Sequence, residues 1–149
     1  MDELYDDVNL TAFFAENVEK AKPIKYVASK RIKDAAGNPI KWVLHPIPAG
    51  KDQELQAECQ KPTQVKTGGR AVNLKLLDTE KYNKKLIVAS VAYPDLNNRQ
   101  LQDSYGVMSA EDLLDVMLYG GEYRSLLLKV NEINDADADE AAEIDLAKN

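Results

Sequence analysis

The chain has 149 residues, of which 44% are hydrophobic and 30% charged, as in an ordinary globular protein. This composition excludes a largely disordered chain, and the length predicts a single domain with its own hydrophobic core. Most of the net charge of −6 lies in the last stretch, Asp135 to Asn149, and the near-neutral body lacks the clustered positive charge that would favour nucleic acid or anionic membranes as partners.

The first predicted element is a helix that begins at a cap, Asn9 or Thr11, and ends at Lys22. The helix is expected to stop there because Pro23 disfavours the helical conformation at the residue before it. Its apolar residues recur at nearly helical spacing and are Leu10, Phe13, Phe14 and Val18.

A β-hairpin is predicted over residues 24–48, because apolar and polar residues alternate in two runs on either side of a turn sequence. The turn contains Gly37 and Asn38, which both accept the positive φ of a tight turn. In the returning strand, Trp42 shares its side with apolar neighbours, so we expect its ring in the core rather than at a contact surface.

The middle of the chain gives weaker signals. A short helix is predicted from Lys51 to Lys61, with Pro62 closing it. Residues 64–75 contain Gly68-Gly69, which fits either the turn of a second hairpin or a flexible loop. A phosphate-binding loop is disfavoured, because the two glycines belong neither to a GxxxxGK[ST] motif nor to a GxGxxG motif between a strand and a helix.

The remaining elements are predicted helices. The first is capped by Asp78 and extends to about Tyr93, before Pro94 stops it. A short second helix, capped by Asn97, ends at Gly106, a residue type that commonly follows a helix.

Two further helices complete this half of the chain. Ser109 and Asp112 form a near capping box at the start of one helix, and Gly120-Gly121 separate it from the next. The last helix carries an apolar stripe at the i, i+3, i+4, i+7 spacing, formed by Tyr123, Leu126, Leu127, Val130 and Ile133.

The predicted fold class is therefore α+β. It consists of an N-terminal helix and a β-hairpin, followed by a mainly helical C-terminal half. We expect residues 1–134 to form a single globular domain and residues 135–149 to form a disordered acidic tail, because the Asp-Ala pattern there offers no apolar stripe to bury.

No group of residues predicts catalysis, a metal site or a cofactor. The single histidine, His45, and the single cysteine, Cys59, lack the partners that a nucleophile, a base or a metal ligand would need, so both are interpreted as structural. The start of the tail resembles a calcium loop, but Glu140 and Leu146 replace the glycine and the bidentate glutamate that such a loop requires.

The expected compartment is the cytoplasm. No apolar run approaches the roughly 18 residues of a membrane-spanning helix. The acidic N-terminus differs from the basic and then apolar start of a secretory signal. Protein partners, rather than nucleic acid or membrane, are therefore expected.

The stretch Leu-Gln-Asp-Ser-Tyr-Gly-Val at 101–107 is distinctive. It occurs together with other characteristic segments, in chain order, at 10–15, 27–34, 58–59, 93–100, 110–114, 117–118, 121–123 and 130–134. Together these segments resemble the XkdN-like family of phage tail assembly chaperones, which occur in phages and prophage elements of Gram-positive bacteria. The resemblance covers most of residues 9–134.

The resemblance implies a protein-binding role without catalysis or a cofactor. Such proteins are thought to hold the tape measure protein soluble in the bacterial host while tail tube subunits polymerise around it, and to leave before the virion matures. A tape measure exposes long apolar helical stripes, which amphipathic helices can cover. Two other classes stay open, namely an acidic DNA-mimic inhibitor of a host nuclease and a small enzyme whose site the sequence does not reveal.

We expect the partner surface in the helical half of the chain, 78–134, with the first hairpin as scaffold, because short helices joined by glycines suit re-packing. The Tyr119–Tyr123 link leaves two interpretations open, either a ring exposed for a partner or an ordinary corner between helices. The candidate partner-binding residues are Tyr105, Leu113, Leu114, Leu118, Tyr119 and Tyr123.

The end of the chain suggests a second partner. In the better-known tail chaperones, a −1 ribosomal slip near the stop codon adds an extension that binds tail tube subunits. The resemblance implies the same possibility here, because the codons for Ala147-Lys148-Asn149 can contain a slippery run of adenines. The acidic tail would then act as a flexible linker between two bound partners.

Overall fold

The computed structural model describes residues 7–135, and residues 136–149 of the predicted acidic tail lie outside this range. The α+β fold class is confirmed, with a helix and short strands followed by a mainly helical C-terminal half. In chain order the elements are α1 Asp7–Thr11, a 3-10 turn Ala15–Asn17, β1 Ile24–Tyr26, β2 Trp42–Leu44, α2 Ala49–Glu58, β3 Gln60–Thr67, β4 Arg70–Leu77, α3 Thr79–Ser90, β5 Val91–Tyr93, α4 Arg99–Ser104, α5 Ala110–Met117 and α6 Gly120–Asn134.

The prediction of one N-terminal helix reaching Lys22 is wrong. Helix α1 ends at Thr11, and only a 3-10 turn follows. The apolar residues that suggested a longer helix are exposed, and the Phe13 side chain is 77% accessible. Helices this short are marginal in water unless an apolar face packs against the body, and residues 9–23 are exposed throughout.

The predicted first hairpin is confirmed, with shorter strands than expected. β1 and β2 pair antiparallel, and Tyr26 lies opposite Trp42. The connection, residues 27–41, contains an isolated bridge between Lys33 and Pro39. At its tip is a tight turn in which Gly37 has a φ of +86° and its amide donates to the Asp34 carbonyl at 3.0 Å. Trp42 is only 1% exposed, so its predicted place in the core is confirmed.

The helix predicted to reach Tyr93 is three residues too long. Helix α3 ends at Ser90, and β5 continues the chain as a third strand beside β2, giving the sheet order β1-β2-β5. The Ser90 carbonyl accepts a hydrogen bond from the His45 amide at 2.8 Å. The strand satisfies backbone groups at the edge of β2 that would otherwise lack partners.

Residues 64–75, which the sequence allowed as either a hairpin or a flexible loop, belong to a second hairpin. β3 and β4 pair over eight residues each, and Gly68 and Gly69 form the turn with φ angles of +59° and +80°. Pro62 does not close the preceding helix, which already ends at Glu58. It lies in β3, a strand with an open edge, where a residue without an amide hydrogen is tolerated.

The hydrophobic core lies between the three-stranded sheet and helices α3, α5 and α6. Side-chain caps begin three of the helices: Asp78 for α3, Asn98 rather than the predicted Asn97 for α4, and Ser109 for α5. The most deeply buried side chains include Trp42, Leu44, Ile87, Leu113, Leu114, Leu126 and Val130.

Asn134 fixes the C-terminal end of α6 to the rest of the core. Its Nδ2 donates to the Ser90 hydroxyl at 3.0 Å and to the Val130 carbonyl at 2.9 Å, and its Oδ1 accepts from the Ile47 amide at 2.9 Å. These bonds join α6, α3 and the chain after β2. The last residue of the matching segment 130–134 therefore has a structural role.

Candidate protein-binding surface

The six predicted partner-binding residues separate into three groups by exposure. Leu113, Leu114 and Leu118 are at most 5% exposed and belong to the hydrophobic core, so in this structure they support a surface and do not form one. Tyr105 and Tyr119 are 41% and 67% exposed. Tyr123 is half-buried and packs against the core.

Tyr105 borders a small apolar depression, here called the aromatic slot. The slot has a volume of about 130 Å³ and lies where the first hairpin meets the end of β5, helix α4 and the end of α5. Tyr93, at its rim, is also exposed. The lining residues are Ile32, Ile40, Trp42, Tyr93, Pro94, Leu101, Tyr105 and Met117.

Arg31 connects the aromatic slot with the Tyr119 ring. Its guanidinium carbon lies 4.1 Å from the centroid of that ring, within the range of a cation–π interaction. Its Nη2 donates to the carbonyl of Met117, a slot residue, at 3.0 Å. The Tyr119 ring is thereby held over the corner between α5 and α6, with most of its surface open to solvent.

Glu122 holds Arg31 in this position. Arg31 Nη2 and Nε donate to the two carboxylate oxygens at 2.6 and 3.3 Å, the two-point geometry that fixes a guanidinium. The Tyr119 amide also donates to Glu122 Oε1, at 2.8 Å. The pKa of Glu122 is lowered to about 2 by the hydrogen bonds from Arg31, then by one from the Ser29 side chain, and then by the one from the Tyr119 amide.

The lowered pKa of Glu122 predicts a dependence of stability on pH. The ordinary pKa of a glutamate side chain is 4.5. The ionised Glu122 therefore stabilises the folded state fully above pH 4.5, and this stabilisation is lost as the pH falls through about 2. Glu122→Gln removes the titrating group. We expect its melting temperature to fall less than that of the wild type between pH 4.5 and pH 2, as measured by circular dichroism.

A matched control is Glu132→Gln, which removes an exposed ion pair between Glu132 and Lys129 on the same helix. Exposed pairs of this kind contribute little to stability, so this variant should keep the wild-type pH profile. If Glu122→Gln also kept the wild-type profile, the Arg31–Glu122 pair would not stabilise the corner.

Two further clefts are more polar than the aromatic slot. One, about 460 Å³, lies along α3 and is lined by charged side chains, of which Lys85 and Glu111 pair at 3.3 Å. A second cleft contains Tyr82, whose pKa is raised to about 12 by burial and by its hydrogen bond to Asp52. Neither offers the apolar lining that a helical partner would need.

The chemistry of the isolated candidate residues agrees with a structural role. Cys59 is buried, and burial raises the pKa of its thiol, which disfavours the nucleophilic thiolate. His45 Nδ1 lies 3.0 Å from the Pro46 carbonyl oxygen.

Among residues 7–135, no three histidine, cysteine, aspartate or glutamate side chains are grouped where they would hold a metal ion. No helix in that range combines the length and apolar character of a membrane span.

Arg31 and Glu122 are functional candidates that the residue patterns alone did not single out. Their side chains meet although they lie 91 positions apart in the sequence. The available signal was indirect, because Arg31 and Glu122 each belong to a segment that resembles the same family, 27–34 and 121–123. The structure brings these two segments together beside the aromatic slot.

Comparisons with known proteins give one consistent result. The family model of the phage XkdN-like tail assembly chaperones matches residues 10–148. The chain is 32% identical over 127 residues to the phage-like element PBSX protein XkdN of Bacillus subtilis, which covers 85% of this chain and 84% of that protein. It is 29% identical over 142 residues to the Bacillus subtilis protein YqbN, covering 93% and 89% of the two chains.

The fold is also shared with a solved structure. The crystal structure of YqbN superimposes with a TM-score of 0.68 at 24% identity, over 83% of this chain and 93% of that one. At this identity the superposition supports the fold alone. The family match spans most of the chain, and the similarity to XkdN extends over most of both proteins. This chain therefore belongs to the XkdN-like family of phage tail assembly chaperones.

Proposed function

We propose that this chain binds the tape measure protein during phage tail assembly and keeps it soluble in the host cytoplasm, with the aromatic slot as a central part of the contact surface. The observation that carries the proposal is the position of the slot. In a member of a tail chaperone family, an apolar depression lies beside two exposed tyrosines, Tyr93 and Tyr105, and beside the Arg31–Tyr119 pair.

The slot has the features of a site for an amphipathic helix. A helix presents apolar side chains every three or four residues, and one such side chain fits a depression of about 130 Å³. Tyrosine and arginine at the rim of an apolar pocket are the residue types that most often dominate binding energy at protein interfaces. Tyr119, held by Arg31, contributes a second apolar contact without ordering a mobile side chain.

The proposal includes the organisation of the chain. Residues 1–134 act as one globular unit, and the acidic stretch 135–149 adds negative charge that keeps the complex soluble. A longer form, made by a −1 slip at the end of the gene, binds tail tube subunits. The chaperone does not catalyse a reaction and leaves the tail before the virion is complete.

Co-expression tests the chaperone activity. The tape measure gene of the same phage is expressed in Escherichia coli alone and together with this chain. We expect the tape measure protein to move from the pellet to the soluble fraction and to co-purify with the chain, because its apolar stripes are covered. A tape measure protein that stays in the pellet beside soluble, folded chaperone would contradict the proposal.

A further inference from the structure

The β3–β4 hairpin exposes an apolar face that the other described residues, 7–59 and 78–135, do not bury in the core. Residues directly opposite in the antiparallel register point to the same face, so Val65 lies beside Val72, and Leu74 and Leu76 follow on the same side of β4. Val72, Leu74 and Leu76 are exposed. Within residues 7–135, neither the core nor the side chains packed against it include any residue of this hairpin face.

The same hairpin carries an excess of positive charge, although the chain as a whole is acidic. Residues 60–77 contain four positively charged residues and no acidic residue, so the remaining residues have a net charge of −10. Lys61 and Arg70 lie on the hairpin face, one at each end of the apolar residues. The face therefore fits an apolar segment that is flanked by acidic side chains.

The N-terminal segment has this complementary chemistry. The N-terminal segment is taken here as residues 7–19, which contain three acidic residues and no lysine or arginine. In it, Leu10, Phe13, Phe14 and Val18 are all exposed, and the core with its packed neighbours includes none of them. Glu16 and Glu19 flank the last of these apolar residues.

We infer that the N-terminal segment of one copy of this chain packs against the hairpin face of a second copy. Both surfaces are apolar and exposed within a single chain, and their charges are opposite. Two chains of net charge −6 repel one another overall, but the hairpin face combines positive charge with exposed apolar side chains and therefore attracts a segment that is both apolar and acidic.

A reciprocal exchange of N-terminal segments between two copies would cover both the segment and the hairpin face. When each copy places its N-terminal segment on the hairpin of the other, the assembly closes as a two-fold dimer and leaves neither surface exposed. A two-stranded hairpin with both faces in water is only marginally stable, so the contact also supports β3 and β4.

Sedimentation equilibrium of the full chain tests this inference. We expect the wild type to change from monomer to dimer within a range of roughly 1–100 μM, and association to weaken with salt because exposed charges contribute. Phe13→Ser and Leu74→Ser each remove one apolar contact and should weaken association at least about tenfold. Leu128→Ser, at an exposed leucine on α6 outside both surfaces, should leave it unchanged.

A charge exchange identifies the contact itself. Replacing Lys61 and Arg70 by glutamate should weaken the dimer, and adding Glu16→Lys and Glu19→Lys in the same chain should restore it. Circular dichroism confirms that each variant is folded. A wild type that stays monomeric throughout this range, a dimer that survives both serine variants, or charge reversals that show no recovery when combined would overturn the inference.

Discussion

Leu114→Asp is expected to lower the free energy of unfolding by at least about 4 kcal/mol, a large part of the roughly 5–15 kcal/mol that stabilises a typical domain. Leu114 is completely buried among core residues of α5, so the substitution removes a packed side chain and places a carboxylate where it has no partner. Losing the leucine side chain alone costs about 2–5 kcal/mol, and the unpaired charge adds to that cost. Urea unfolding followed by circular dichroism measures the change.

Val116→Asp is the matched control on the same helix. Val116 is 51% exposed, so its aspartate remains hydrated and the free energy of unfolding should stay within about ±0.5 kcal/mol of the wild type. An unchanged urea midpoint for Leu114→Asp would contradict the position of α5 in the core. The comparison also shows why substitutions of Leu113, Leu114 and Leu118 report on folding rather than on partner binding.

Local patterns predicted the elements whose stability depends on nearby residues. The cap at Ser109 and the tight turn at Gly37 both depend on neighbouring residues, and the structure contains both. The break predicted at Gly120-Gly121 instead lies at Leu118 and Tyr119, and the two glycines begin helix α6. The apolar stripe of α6 was also found, because it packs against the core with the spacing of a regular helix.

The errors arose where distant contacts decide the conformation. Val91–Tyr93 continue a helical pattern, yet they pair with β2, which lies nearly fifty residues earlier in the chain. At the N-terminus, Phe13 and Phe14 continue a helical pattern, but both side chains are exposed and neither packs against the core. Sequence periodicity detects an apolar stripe without identifying what covers it.

The aromatic slot was not predicted either, because it is also formed by distant parts of the chain. Its lining comes from four separate parts of the chain, between Ile32 and Met117, and no local motif connects them. Of the six residues that the sequence proposed for a partner surface, Tyr105 and Tyr119 are exposed. The proposal also included three leucines of the core, because an apolar stripe on one helix does not show which side chains remain open to solvent.

Tyr105→Ala and Tyr119→Ala are each expected to weaken binding of the tape measure protein about 10- to 100-fold, and the double variant more. Both rings are exposed in the free protein and lie at or beside the slot, so the loss reflects contact area with the partner rather than unfolding. The melting temperatures should remain close to that of the wild type. Leu128→Ala, which truncates an exposed side chain away from the slot, should bind normally.

The most direct test follows the fluorescence of Trp42, the only tryptophan of the chain, which is buried and lines the slot. A tape measure fragment whose own tryptophans have been replaced is titrated into the protein. Occupation of the slot changes the surroundings of the indole ring, so we predict a saturable change in emission that shifts to higher concentrations in the Tyr105→Ala and Tyr119→Ala variants. The affinity of the same fragment for the wild type and for the two variants is also measured by sedimentation. Equal affinities for all three proteins, together with constant Trp42 emission, would contradict the assignment of the slot as the partner site.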